Sequence, residues 1–316
     1  MAKSRSRKSP SGARTGGTPA PGKSAAGKAT SRKAPSGAAA GPVAGDYPID
    51  TGTATLERDP YDDDGWILKV NGVPSSHVDL ADPLRLDFEY MRWIAALATS
   101  RFPPPHDGGT SRLRVLHLGG GACSMARWAA ATYPDSRQVV VELDGRLAEL
   151  VRCWFDLPRA PLLRLRTGEA GQVLRSLTDD TRDLLIRDVF AGDKTPSDLT
   201  TVNFTREAAR VLADDGLYVV NCGDTPKLET ARREAATIGA VFAHTAIVAD
   251  PAMLKGRRYG NMVIAGSNAP IPASPAMLRE LLGGAVPAQH WDAARVRAFA
   301  GTVAVIDAEP PGPQDA

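Results

Sequence analysis

Residues 113–144 read LRVLHLGGGACSMARWAAATYPDSRQVVVELD, and their pattern decides the fold. Arg114 to Leu118 is a short apolar run that breaks into Gly119, Gly120 and Gly121. A small-residue stretch of helical character follows from Ala122 to Thr132. Gln138 to Leu143 is then β-branched and apolar again, ending in Glu142 and Asp144. Strand, glycine turn, helix, strand, acid is the first half of a nucleotide-binding α/β sheet. Glycine lets the backbone approach a ligand without a Cβ in the way. An acid about twenty positions further on can accept hydrogen bonds from ribose hydroxyls.

Downstream, helical and strand patterns keep alternating. Gly145 to Phe155 reads as a helix, Leu162 to Arg166 as a strand ending at Thr167-Gly168-Glu169, and Glu169 to Leu177 as a helix. Asp183 to Arg187 is a strand that ends at Asp188, Thr201 to Leu212 a helix, and Gly216 to Asn221 a buried strand. A helix from Lys227 to Ile238 and strands at Val241 to Val248 and Asn261 to Gly266 follow. This spacing predicts a Rossmann-like, doubly wound, mainly parallel seven-stranded sheet. Only Ala249 to Gly260 separates the last two strands, too little for a further helical crossover, so they are expected to pair antiparallel.

Upstream, Tyr47 to Ser76 alternates like short strands, with Asp62-Asp63-Asp64-Gly65 and Asn71-Gly72 as turn chemistry, which predicts a small N-terminal β unit. A helix is expected from Pro83 to about Ser100, burying Leu84, Phe88, Met91, Ile94, Ala95 and Ala98. The expected organisation is a basic tail at 1–45, the β unit and helix at 46–110, the nucleoside-binding domain at 111–266, and a helical extension at 267–316. That extension holds short helices at Ala276 to Leu282 and Trp291 to Ala300.

The net charge of +2 conceals two regions. Residues 1–45 hold nine basic residues and no acid. Subtracting these nine from the 38 Lys and Arg leaves 29 against 36 acidic residues, a net of −7. The tail has too little apolar surface to offset the entropy of ordering and is expected to be disordered. It reads either as a weak polyanion contact or as a solubilising extension. No apolar run reaches the roughly 18–20 residues that span a bilayer, and no signal-peptide core is seen, so a cytoplasmic protein without membrane contact is expected. The three cysteines lack metal-ligand spacing, which predicts neither a metal site nor a disulfide framework. Cys123, inside the glycine turn, reads as a small packed residue or as a nucleophile.

In open parallel sheets ligands bind beyond the carboxyl ends of the strands. Four such ends carry candidate groups here: Gly119 to Gly121, Glu142 with Asp144, Glu169, and Asp188 with Asp193. Each carboxylate alone also reads as a helix cap or a solvated loop residue. Asp188 differs because it follows Leu184-Leu185-Ile186 into Val189-Phe190. Partial burial there would raise its pKa towards use as a general base.

These residues resemble the spermidine synthase (polyamine aminopropyltransferase) family, over about Leu56 to Gly266. Gly119-Gly120-Gly121 is similar to the first three positions of the family's GGGDGG loop, and Val141-Glu142-Leu143-Asp144 to its V-E-I-D segment. Gly168-Glu169-Ala170 stands where the family has G-D-G or G-D-A. Asp188 to Thr201 resembles the D-x-F-x-G-D-x-x-P-x-x-L-T pattern of the spermidine-synthase-like branch. The resemblance implies a class I methyltransferase type of sheet. Glu142 would hold the ribose, Glu169 and Ala170 would lie near the adenine, Asp188 would be catalytic, and Tyr90 and Asp193 would position an amine. It implies decarboxylated S-adenosylmethionine or S-adenosylmethionine as co-substrate, with no metal. The expected partners are a small-molecule amine acceptor and a second copy of the chain.

The chain also departs from the family. The acid of GGGDGG, which would meet the donor's amino group, is Ala122. A family glutamine appears as Ser75, Y-H-E or Y-Q-E reads Tyr90-Met91-Arg92, and the second acid of D-x-x-D-P is Ala191. Arg92 reads either as a partner for a donor carboxylate or as a solvent-facing residue. Three readings stay open: aminopropyl transfer, methyl transfer from S-adenosylmethionine, and non-catalytic nucleoside binding.

Overall fold

The computed structural model describes residues 41–106, 109–192 and 194–307. Of the expected features, the basic stretch through residue 40, the last residues of the chain and Asp193 lie outside the described residues. Two sheets organise the rest. The first is an antiparallel meander of β1 (Gly45–Ile49), β2 (Gly52–Arg58), β3 (Gly65–Val70) and β4 (Val73–Asp79). Its alternation buries Ala54, Leu56, Trp66, Leu68 and Val78 on one face, as period-2 patterning requires.

The second sheet comprises β5 (Arg114–Leu118), β6 (Arg137–Glu142), β7 (Leu163–Thr167), β8 (Arg182–Arg187), β9 (Leu212–Asp224), β10 (His244–Ala249), β11 (Gly260–Ser267) and β12 (Gln289–Trp291). The spatial order is β12-β10-β11-β9-β8-β5-β6-β7. Strands β5 to β9 run parallel to one another, while β11 is antiparallel to both β9 and β10. The antiparallel pairing expected for the last two long strands is therefore present. The three-residue β12 adds an eighth strand at the edge beside β10. The chain winds one way from β5 through β6 to β7, and the other way from β8 to β9. The topological switch point therefore lies between β5 and β8, and right-handed crossovers put helices on both faces.

The connecting helices are α1 (Glu89–Arg101), α2 (Ser124–Thr132), α3 (Gly145–Trp154), α4 (Ala170–Arg175), α5 (Val202–Val211), α6 (Glu229–Gly239), the short α7 (Pro251–Leu254), α8 (Pro275–Gly283) and α9 (Ala293–Ala300). Val115, Leu116 and Leu118 of β5 and Leu184, Leu185 and Ile186 of β8 are buried at the centre of the core. Each such side chain contributes roughly 1.5–3 kcal/mol by leaving water.

Helix α1 begins later than Pro83. Asp79 Oδ1 accepts from Ala81 N and Asp82 N, and Asp82 Oδ1 from Leu84 N. These side-chain bonds offer the backbone turns in place of a first helical turn. Trp291 likewise belongs to β12 rather than to a helix; Asp292 caps α9 by accepting from Arg295 N at 2.9 Å. Strand β9 runs past both ends of the apolar run Leu217 to Val220, because β8 and β11 pair with it on either side.

Candidate active site

The parallel strands bring Gly119, Glu142, Gly168 and Asp188, each at or just past a carboxyl end, to one edge of the sheet, with Asn221 of β9 one residue beyond the partner of Arg187. At the switch point the glycine turn is packed against protein on three sides. Gly119 N donates to Val141 O at 3.0 Å, and Asp188 N to Leu118 O at 2.8 Å. Gly119 has φ +94°, and a Cβ there would lie 2.0 Å from the Asp188 carbonyl oxygen. Gly121 has φ +47°, and a Cβ there would lie 2.6 Å from Ser76 Oγ of β4. At these two positions the close approach and the left-handed backbone both call for glycine.

Glu142 closes the turn. Its Oε2 accepts from Gly120 N at 3.0 Å and Gly121 N at 3.2 Å, and its Oε1 accepts from Asp144 N at 3.1 Å. A carboxylate has about four acceptor sites, so three backbone donors leave Oε1 with capacity for a further hydroxyl. Gly168 N donates to Glu142 O at 2.9 Å and holds the end of β7 beside the same residue.

The other two acids of this edge are occupied differently. Asp144 is 2% exposed. Its Oδ1 caps α3 by accepting from Leu147 N at 2.7 Å, and its Oδ2 accepts from Thr51 N at 2.7 Å and Thr51 Oγ1 at 2.8 Å. Burial works to raise its pKa, but these hydrogen bonds outweigh burial and hold it below the usual carboxylate range. Its carboxylate ties the first sheet to α3 and is not presented with Glu142. Glu169 caps α4 through Gly171 N at 2.5 Å and Gln172 N at 2.6 Å. Ala170 is buried in the first turn of that helix.

Asp188 lies beyond β8 and is partly buried. Tyr90 of α1 donates from its hydroxyl to Oδ2 at 2.9 Å, and Asn221 of β9 donates from Nδ2 to Oδ1 at 2.9 Å. Burial pushes the Asp188 carboxyl up, with the bonds from Asn221 and Tyr90 and the charge of Arg187 only partly opposing it. Tyr90 is pushed well above the usual phenol range, first by burial and then by the charge of Asp188. The arrangement is a carboxylate held between two neutral donors, on a residue whose backbone packs against the glycine turn.

Sequence reasoning missed Asn221 and Ser76. Asn221 is 2% exposed and its Oδ1 is buried without a hydrogen-bond partner. Its signal was an amide at the end of the apolar run Leu217 to Val220, one strand over from Asp188. Ser76 gave no signal; its hydroxyl accepts from Ala122 N at 3.0 Å and covers a fully buried Ala122. Arg92 donates to Leu86 O and Asp87 O at 2.7 and 2.6 Å, so its guanidinium braces the start of α1. Ser75 bonds Val73 O at 3.0 Å, and Ala191 N donates to Lys194 O at 2.8 Å within the segment after β8. Cys123 is 2% exposed at the N-cap of α2, and burial, reinforced by Glu142, pushes its thiol up to about 12, which disfavours the thiolate a nucleophile needs. Among the described residues no His, Cys, Asp and Glu cluster could hold a metal ion, and no helix is long and apolar enough to cross a membrane.

A doubly wound sheet with a glycine turn, an acid on the adjoining strand and a partly buried carboxylate across the switch point defines a Rossmann-like fold of the class I methyltransferase type. No family model matches the chain. A probable spermidine synthase from Corynebacterium glutamicum superimposes with a TM-score of 0.80 at 49% identity, covering 87% of this chain and 99% of that one. The polyamine aminopropyltransferase of Vibrio vulnificus is 30% identical over 160 residues, 50% of each chain. The chain spans about half the length of the curated aminopropyltransferases it matches. The spermidine synthase of Thermotoga maritima, at 18% identity and a TM-score of 0.55 over 76% of this chain and 78% of that one, shares the fold. The chain belongs to the spermidine synthase family.

Proposed function

We propose that this protein transfers an aminopropyl group from decarboxylated S-adenosylmethionine to a small amine. The observation that carries the reading is the Asp188 carboxylate, fixed between Tyr90 Oη and Asn221 Nδ2 on a residue whose backbone carbonyl packs against the glycine turn. The turn and Glu142 would hold the nucleoside, with Glu142 Oε1 accepting from the ribose and the Gly168-Glu169-Ala170 turn beside the adenine. Leu143, 63% exposed next to Glu142, offers an apolar surface for a purine. Asp144 is left out of the binding set because it is buried and its hydrogen bonds tie it to Thr51 and Leu147.

In this reading Asp188 takes the proton from the acceptor's ammonium, leaving a free lone pair on nitrogen. That nitrogen attacks the propyl carbon beside the sulfonium as the C–S bond breaks, and the electron pair stays on sulfur in the departing thioether. Tyr90 and Asn221 keep the base in place, and most of the acceleration comes from alignment and proton removal. Asp193 is proposed as a second amine contact, together with a second copy of the chain and a polyanion contact through the nine basic residues of the first 45.

Methyl transfer is favoured by one observation: residue 122, where the family has an acid for the donor's amine, is a buried alanine beneath Ser76. Incubation with putrescine and either sulfonium donor separates the readings. Methylthioadenosine is the expected product. S-Adenosylhomocysteine alone would establish methyl transfer, and neither product across an amine panel, with nucleoside bound, would leave a non-catalytic binding protein.

A further inference from the structure

Arg187 ends β8 immediately before Asp188, and it is only 1% exposed. Successive strand residues face opposite ways. Asp188 turns to Tyr90 of α1, whereas Arg187 turns to α6 and to the chain returning towards α5. Its Nη1 donates to Leu199 O at 2.8 Å, and its Nη2 donates to Glu234 Oε2 at 2.5 Å. Glu234 is itself 2% exposed. Leu199 lies in the 3-10 turn Ser197–Thr200 that ends the segment begun at Asp188, and Thr201 then caps α5. The same strand end therefore launches the segment and holds its return.

That return matters because of what it borders. Lys194, Ser197 and Asp198 line a cleft of about 980 Å³ together with Gly223, Glu229 and Tyr259. A Cβ on Gly223 would lie 3.4 Å from Phe190 Cε1, so the cleft adjoins the chain two residues past Asp188. It lies on the β9 side of Asp188, away from the glycine turn and Glu142. Stability alone does not call for an ion pair here, since well-packed apolar residues of similar volume usually replace a buried pair without loss. A planar guanidinium, however, presents its donors to two different elements in a fixed fork, whereas an ammonium offers three rotatable donors from a single point.

We propose that Arg187, oriented by Glu234, is a positioning residue that fixes the return of the Asp188 segment at Leu199 and so shapes the acceptor side of the active site. The acceptor part rests on the aminopropyl-transfer reading; the anchoring part does not. The test is the double variant Arg187→Met/Glu234→Met, which removes the anchor while filling its volume, with Arg187→Lys as the conservative comparison. In the double variant, hydrogen exchange in 195–201 should accelerate by about tenfold or more while α1 and β5 stay protected. Nucleoside affinity should hold within about twofold, and acceptor KM should rise about tenfold with kcat changed much less. Arg187→Lys should lie between the double variant and the wild type in both measurements.

Unchanged exchange in 195–201 of the folded double variant would overturn the anchor. Faster exchange with unchanged acceptor KM would overturn its role in the acceptor site. Parallel loss of nucleoside affinity, kcat and KM would show general destabilisation and also overturn it. A wild type that turns over no amine would sink the transfer reading and the acceptor part together, while the exchange measurement still decides the anchor.

Discussion

Tyr90 Oη lies 2.9 Å from Asp188 Oδ2, although 98 positions separate the two residues in the chain. The bond joins the helix before the large sheet to the end of its fourth strand, and orients the proposed base. On the other side Asn221 holds Oδ1. Both carboxylate oxygens are thereby fixed while the group stays partly accessible.

Asp188→Asn should lower turnover by roughly a hundred- to ten-thousandfold, the usual range for a lost general base, with nucleoside affinity nearly unchanged. Steady-state kinetics with calorimetry on the same variant checks both halves. Because the folded pKa is raised, this group's favourable contribution to stability is present at low pH and lost as pH rises through the raised value. At neutral pH its charge costs stability, so the melting temperature of Asp188→Asn should hold or rise.

Asn221→Leu removes a donor that favours the charged form of Asp188. The carboxyl should then titrate still higher, and the acid limb of kcat/KM should move to higher pH. A pH–rate profile that keeps its acid limb in place would mean that Asp188 does not control it.

Glu142→Ala should weaken nucleoside binding by about ten- to a hundredfold, the equivalent of roughly 1–3 kcal/mol for an unmet hydroxyl and three freed backbone N–H groups. Calorimetry with methylthioadenosine reads this directly, and an unchanged affinity would remove the ribose assignment.

Asp144→Ala should behave in the opposite way. Loss of the α3 cap should cost about 1–2 kcal/mol in thermal or denaturant unfolding, while nucleoside affinity in the folded protein changes little. The sign of the pH dependence follows from its depressed pKa: its contribution is present above the ordinary carboxylate range and lost as pH falls through the folded value. The difference in stability between wild type and variant should therefore shrink in acid.

The alternation of strands and helices, the glycine turn, and an acid after each of three consecutive strands were all legible in the chain itself. They follow from local chemistry: apolar alternation, glycine's tolerance of positive φ, and the short crossovers of parallel strands. The extent of α1 was not legible, because Asp79 and Asp82 compete for its expected first turn through side-chain bonds. Nor was β12, whose three residues are a strand only because β10 offers them an edge.

The roles of the acids depended on tertiary structure. Glu142 and Asp144 stand two residues apart and look alike in sequence, yet the first closes the glycine turn and the second is consumed by Leu147 and Thr51. Thr51 is 93 positions away, and no local pattern encodes that contact. Asn221 and Arg187 acquire their roles in the same way, by what the β8–β9 pairing and the return of the chain at Leu199 set beside them. Backbone pattern is decided by neighbours along the chain. The use of a carboxylate or a guanidinium is decided by which donors and acceptors the folded chain brings within about 3 Å of it.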